Sequence, residues 1–164
     1  MKKFFLSLLL LVATGVVWAQ KTYQVASPDG SIELKVLVSD KIYYEIVSDG
    51  QTLLENGVMQ MQVGTQVLGQ KPKVTKKTLK KVSETIKPIV PFKFSTIDNT
   101  YNQLLLKFNG NYSVEFRAFD NGVAYRFLTQ KKGDVEVVNE LFQVDFPEDY
   151  LMHVQIAGHF KTSY

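Results

Sequence analysis

The chain has 164 residues, 45% of them hydrophobic and 12% aromatic, with no Cys and two His. That length is one domain's worth of sequence and can bury a sizeable core without disulfide staples. Nineteen Lys and Arg against 16 Asp and Glu leave a formal charge of only +3, which argues against nucleic acid as the main partner, and zero Cys with two His argues against a zinc site.

The first residues read as a processing signal. Lys2 and Lys3 form a short basic start, Phe4 to Val17 is almost entirely apolar, and Val17-Trp18-Ala19 places small residues where a signal peptidase reads. This order predicts a secretory signal peptide over residues 1–19, with cleavage after Ala19 and Gln20 as the new start. The apolar run is shorter than the roughly 20 residues of a spanning helix, which disfavours the competing reading of an uncleaved anchor. No Cys follows for lipid attachment. Losing Lys2 and Lys3 takes the basic count from 19 to 17 and the formal charge to +1. The expected location is periplasmic or extracellular, with no membrane association after cleavage. A Cys-free exported domain fits a bacterial source.

From there the chain alternates with period two, the signal of half-buried strands. Ile32, Leu34, Val36 and Val38 alternate with Ser31, Glu33, Lys35 and Leu37, and Ile42, Tyr44 and Ile46 with Tyr43, Glu45 and Val47. The pattern recurs at Met59–Val63, Leu104–Phe108, Val114–Phe119, Val123–Leu128, Val135–Val138 and Phe142–Phe146. Pro28-Asp29-Gly30, Ser48-Asp49-Gly50, Asn109-Gly110-Asn111, Asp120-Asn121-Gly122 and Lys132-Gly133-Asp134 read as turns between runs. Leu79, Val82 and Ile86 are the one helical spacing, but Thr75, Thr78 and Thr85, with Pro88 and Pro91 beyond, favour extended chain or loop. The prediction is an all-β antiparallel sandwich or barrel.

The sharpest element is the hairpin Val114–Phe127. Asn121-Gly122 predicts a two-residue type I′ loop, with Asp120 pairing Val123, Ala118 facing Tyr125 and Phe116 facing Phe127. One face is then wholly apolar and belongs to the core. The other sets Arg117 opposite Arg126, with Glu115 diagonal to Arg126. Two opposed arginines need carboxylates nearby, and Glu115 supplies one. One reading of Arg117, Arg126 and Glu115 is a surface salt-bridge ladder, worth little. The other is a docking face for a further domain.

No complete catalytic machinery is legible. Glu140, Asp145, Glu148 and Asp149 are the candidates for the paired carboxylates of glycoside hydrolysis, but Phe146–Tyr150 around Pro147 reads as a turn after a strand. His153 and His159 have no evident third ligand. There is no nucleophile elbow, phosphate-binding loop or H-E-x-x-H pattern. Lys71–Lys87 holds seven Lys and the single acid Glu84, without interleaved aromatics. It reads as a solvated strand or connection whose lysines would protect a sheet edge, ahead of a site for an anionic polymer. Tyr43, on the face opposite Tyr44 and beside Glu45, is a candidate sugar platform. Asn111-Tyr112-Ser113 matches a glycosylation sequon and reads as a turn.

Three stretches carry a family resemblance: SPDGSIELKVLVSDKIYYEIVSDGQTLLE (Ser27–Glu55), ETIKPIVPFKFSTIDNTYNQLLLKF (Glu84–Phe108) and VEFRAFDNGVAYRF (Val114–Phe127). Together they resemble the N-terminal domain of family 97 glycoside hydrolases, exported enzymes of Bacteroidetes. Ile86 stands where that family commonly has Trp. The resemblance implies a β-supersandwich similar to the galactose-mutarotase fold, packed on a (β/α)8 barrel that holds the catalytic carboxylates. It implies action on α-glucosides or α-galactosides, by inversion or retention, with calcium near the active site of the full-length enzyme. No catalytic, cofactor-binding or metal residue is carried over, since the family's motifs for them lie beyond Tyr164. The resulting expectation is a signal peptide over 1–19 and an N-terminal sandwich domain over 20–164, incomplete at its C-terminal end and cut before the barrel. Its partners would be that barrel, in the same full-length chain, and an oligo- or polysaccharide substrate. The alternative is a free-standing carbohydrate-binding module without hydrolase activity.

Overall fold

The computed structural model describes residues 20–90, 93–151 and 153; the predicted leader, His159 and the closing HFKTSY lie outside the described residues. Ten strands run in order: β1 (Lys21–Ala26), β2 (Ile32–Val38), β3 (Ile42–Ser48), β4 (Gln51–Val63), β5 (Gln66–Leu68), β6 (Val74–Ile86), β7 (Ile97–Phe108), β8 (Tyr112–Phe119), β9 (Gly122–Thr129) and β10 (Val137–Asp145). They form two antiparallel sheets, β1-β2-β3-β4-β10 with β5 also on β4, and β6-β7-β8-β9. The architecture is the expected sandwich.

Alternation decides which residues face inward. Leu34, Val36 and Val38 of β2 and Ile42 and Tyr44 of β3 meet Leu104, Leu106 and Phe108 of β7 and Val114, Phe116 and Ala118 of β8 in one buried cluster. Full burial of side chains such as Ile42 and Phe116 contributes about 1.5–3 kcal/mol each, so this cluster dominates stability. Gly57, opposite Tyr44, lets the Tyr44 ring lie against its backbone, and a Cβ there would collide with the ring. Tyr44 then donates its hydroxyl to the Gln143 carbonyl at 2.7 Å and stacks on Phe142, which fastens β10 to the first sheet.

Turn chemistry behaves differently at the two Asp/Asn-Gly sites. Ser48 pairs with Gln51, and the loop residues Asp49 and Gly50 have φ of 49° and 78°, as a type I′ turn requires. At the second site the expected register is wrong. Phe119 pairs with Gly122, so the loop is Asp120-Asn121, and neither Asn121 nor Gly122 has positive φ. Ala118 faces Val123, Phe116 faces Tyr125 and Arg117 faces Ala124, not Arg126. Tertiary contacts override the local signal: the Asp120 carboxylate accepts from the Asp29 backbone N–H at 3.0 Å, and Phe119 packs on Tyr101 with centroids 5.0 Å apart. The slip moves the pairing by an even number of residues, so the predicted apolar and polar faces survive.

Two other expectations change. Val135–Val138 and Phe142–Phe146 are not separate strands. One strand, β10, runs from Val137 to Asp145 through Asn139-Glu140-Leu141, with register shifts against β4 near both ends, while Val135 packs on the core from outside it. Lys132-Gly133-Asp134 does not close a hairpin but lies in the crossing from β9, in one sheet, to β10 in the other.

Candidate functional site

The outer face of the β6–β9 sheet gathers the sequence-predicted residues. Glu115 lies directly opposite Arg126 on β9 and two positions from Arg117 on its own strand. Its Oε1 accepts from Arg117 Nε at 2.6 Å, and its Oε2 accepts from Arg126 Nη2 at 2.8 Å and Nε at 3.2 Å. The Glu115 residue is only 4% exposed. Burial pushes its carboxyl up, but the hydrogen bonds and charges of Arg126 and Arg117 outweigh burial and hold it below the usual carboxylate range. The two arginines are thus joined by one buried carboxylate, where the sequence suggested opposed like charges awaiting help.

The same face extends away from the charges as a strip of mainly apolar residues interrupted by one Glu–Asn pair. The Arg117 guanidinium sits 4.6 Å from the centroid of the Tyr101 ring, and Tyr101 is buried although it points away from the core. Val82 pairs with Tyr101, Glu84 with Asn99 and Ile86 with Ile97, and the Asn99 amide donates to Glu84 at 2.7 Å. β8 pairs β7 only from Asn102 onward, so the far halves of β6 and β7 project as a two-stranded arm. At its tip Ile86, Ile89, Val90, Phe94 and Ile97 are exposed, Ile89 fully. The sequence did not single out Ile86 and Ile97 as neighbours, because they lie on separate strands and become cross-strand partners only once the β6–β7 register is fixed.

The remaining candidates stay dispersed. Glu140 accepts from the Tyr125 hydroxyl at 2.9 Å, and burial together with this bond pushes the Tyr125 hydroxyl far up. Pro147 and Glu148 occupy a bend after β10, as the turn reading expects, and His153 is exposed. Among the described residues no group of three or more His, Cys, Asp and Glu lies close enough to hold a metal ion. The lysine-rich segment forms the edge strand β6. Asn111 sits in the β7–β8 turn with φ 59°.

A family model described as "Glycosyl-hydrolase 97 N-terminal" matches residues 25–164. A retaining alpha-galactosidase of Bacteroides thetaiotaomicron is 36% identical over 151 residues, which cover 91% of this chain and 22% of that protein. The crystal structure of a beta-arabinopyranosidase superimposes with a TM-score of 0.68 at 27% identity, over 77% of this chain and 21% of that one. A Glycoside Hydrolase Family 97 enzyme from Pseudoalteromonas, solved with acarbose, gives a TM-score of 0.65 at 23% identity, over 76% and 20% of the two chains, a likeness of fold. The chain spans about a fifth of the length of these relatives.

Proposed function

The chain belongs to the glycosyl-hydrolase 97 N-terminal family, and from that membership we propose that it is the non-catalytic N-terminal part of an exported glycoside hydrolase acting on α-glucosides or α-galactosides. Its role in this reading is to pack against a (β/α)8 catalytic domain of the same polypeptide and to shape the rim of the substrate pocket. Export through the leader ending at Ala19 belongs to the proposal, as does a calcium ion held by the catalytic part.

The observation that carries the reading is the stripe on the outer sheet face. Ile86 and Ile97 lie exposed at its far end, with Ile89, Val90 and Phe94 exposed in the loop that joins their strands, and the Glu84–Asn99 pair, Val82 and Tyr101 lead back to Arg117, Glu115 and Arg126. An apolar patch of this kind, rimmed by charge, is the common form of an interaction surface. Within it Arg117, Arg126 and Glu115 form the polar end of the interdomain contact. Arg126 keeps an exposed guanidinium with which to meet a carboxylate of the partner domain.

Bond cleavage would belong to two carboxylates of the catalytic domain, one acting as acid and the other as base or nucleophile, with their separation setting the stereochemistry. The test uses the full-length enzyme with Ile89→Glu and Phe94→Glu together. A charged arm tip should lower kcat/KM on an aryl α-galactoside or α-glucoside at least tenfold and speed proteolysis between the domains. Unchanged kinetics and unchanged proteolysis would reject the docking role.

A further inference from the structure

The outer face of the other sheet holds a second feature, unrelated to the docking stripe. A cleft of about 520 Å³ is lined by Gln20, Leu37, Ser39, Asp40, Tyr43, Glu45 and Asn56. Tyr43 is its aromatic lining residue. Tyr43 pairs with Leu37 on β2 and Val58 on β4, and its hydroxyl donates to Asp40 Oδ1 at 3.2 Å. Asp40 in turn accepts from the Ser39 hydroxyl at 2.9 Å. One oxygen of Glu45 is taken by Lys35 at 2.7 Å, and the other has no protein partner among the described residues. Across the cleft β4 bulges: Tyr44 pairs with Gly57 and Ile46 with Leu54, so Glu55 and Asn56 both oppose Glu45. Asn56 stands at φ 50° with an exposed carboxamide.

We infer that this cleft binds one neutral pyranose unit of an oligosaccharide. A sugar ring presents an apolar C–H face and a rim of hydroxyls. Tyr43 offers the flat surface for the first, with an amphipathic ring whose tip is already hydrogen-bonded. Asp40, Glu45, Asn56 and Gln20 offer carboxylate and carboxamide groups that accept from, or donate to, vicinal hydroxyls. The combination of one apolar wall with a few convergent polar groups is that of a small-ligand site, and its openness suits a chain end or a passing polymer. The site does not depend on the docking role: a sugar held here would concentrate substrate on the enzyme or serve a free-standing module equally.

The experiment is a titration of the full chain, isotopically labelled, with maltotriose and melibiose, followed by backbone amide NMR shifts. Shifts should move at Leu37–Glu45 and Asn56 with millimolar affinity. Tyr43→Ala should weaken binding at least tenfold, and Tyr43→Phe about twofold or less because the ring remains. Asn56→Gly removes the carboxamide while suiting the positive φ, so weakened binding in that stable variant cannot be unfolding. No shifts at these residues at 50 mM sugar, or full binding by both Tyr43→Ala and Asn56→Gly, would overturn the inference.

Discussion

Replacing Glu115 by Gln keeps the shape of the side chain and removes its charge and half its accepting capacity. In the structure that carboxylate accepts three hydrogen bonds from two guanidinium groups. The Arg117 bond is the stronger case, because Arg117 also packs on the Tyr101 ring and its side chain is only 28% exposed. A charged hydrogen bond of this kind contributes about 1.5 kcal/mol at the low end of its range. The Arg126 side chain is 57% exposed, so its bond is screened and counts as a surface pair of about 0.5 kcal/mol. Glu115→Gln should therefore lose about 2 kcal/mol, or about 4–8 °C in Tm for a domain of this size. Urea and thermal unfolding followed by circular dichroism would measure both. The sign of the pH dependence follows from the depressed carboxyl of Glu115. Its stabilisation is fully present above the unfolded value of about 4.3 and is lost as pH falls through the lower folded value. The gap between wild type and variant should stay constant from about pH 6 to 8 and close in acid. A Tm within 1 °C of wild type, or a gap that widens in acid, would refute the account of a buried carboxylate joining the two arginines.

Three further outcomes follow from other parts of the molecule. Gly57→Ala drives a methyl into the Tyr44 ring and should cost about 2 kcal/mol or more, with faster hydrogen exchange in β10, since Tyr44 holds that strand; a loss under about 0.5 kcal/mol would contradict the packing. Asp29 accepts from the Ser27 hydroxyl at 2.6 Å and from the Ser31 N–H and hydroxyl, which hold its carboxyl at about 2. Carbon-detected NMR should show that titration, with Ser27→Ala raising it, and any stabilisation from this loop should fade as pH falls from about 4 toward 2. Lys76→Val with Lys80→Val strips charge from the edge strand β6 and should promote association on size-exclusion chromatography; an unchanged elution volume would deny the lysines a protective role.

The amino-acid sequence by itself determined the inward and outward faces of most of the strands. Leu34, Val36 and Val38 on one strand and Leu104, Leu106 and Phe108 on another are buried as their alternation requires, because side chains on a pleated strand can point only two ways. It determined the Asp49-Gly50 turn, where local φ preferences meet no opposition. It also identified Arg117, Arg126 and Glu115 as a group, and the resemblance in its motifs named the family.

Only the tertiary structure decided how those parts met. The β8–β9 register depended on Asp120 reaching the backbone of Asp29, 91 residues away in the chain. The burial of Glu115 between its arginines followed from that register, since the predicted pairing would have left Arg117 against Arg126. The apolar arm, the Tyr43 cleft and the fit of Tyr44 against Gly57 each join residues from separate strands. The reason is physical: alternation fixes which side of a strand a residue takes, whereas cross-strand neighbours depend on register, and register is set by contacts between distant segments.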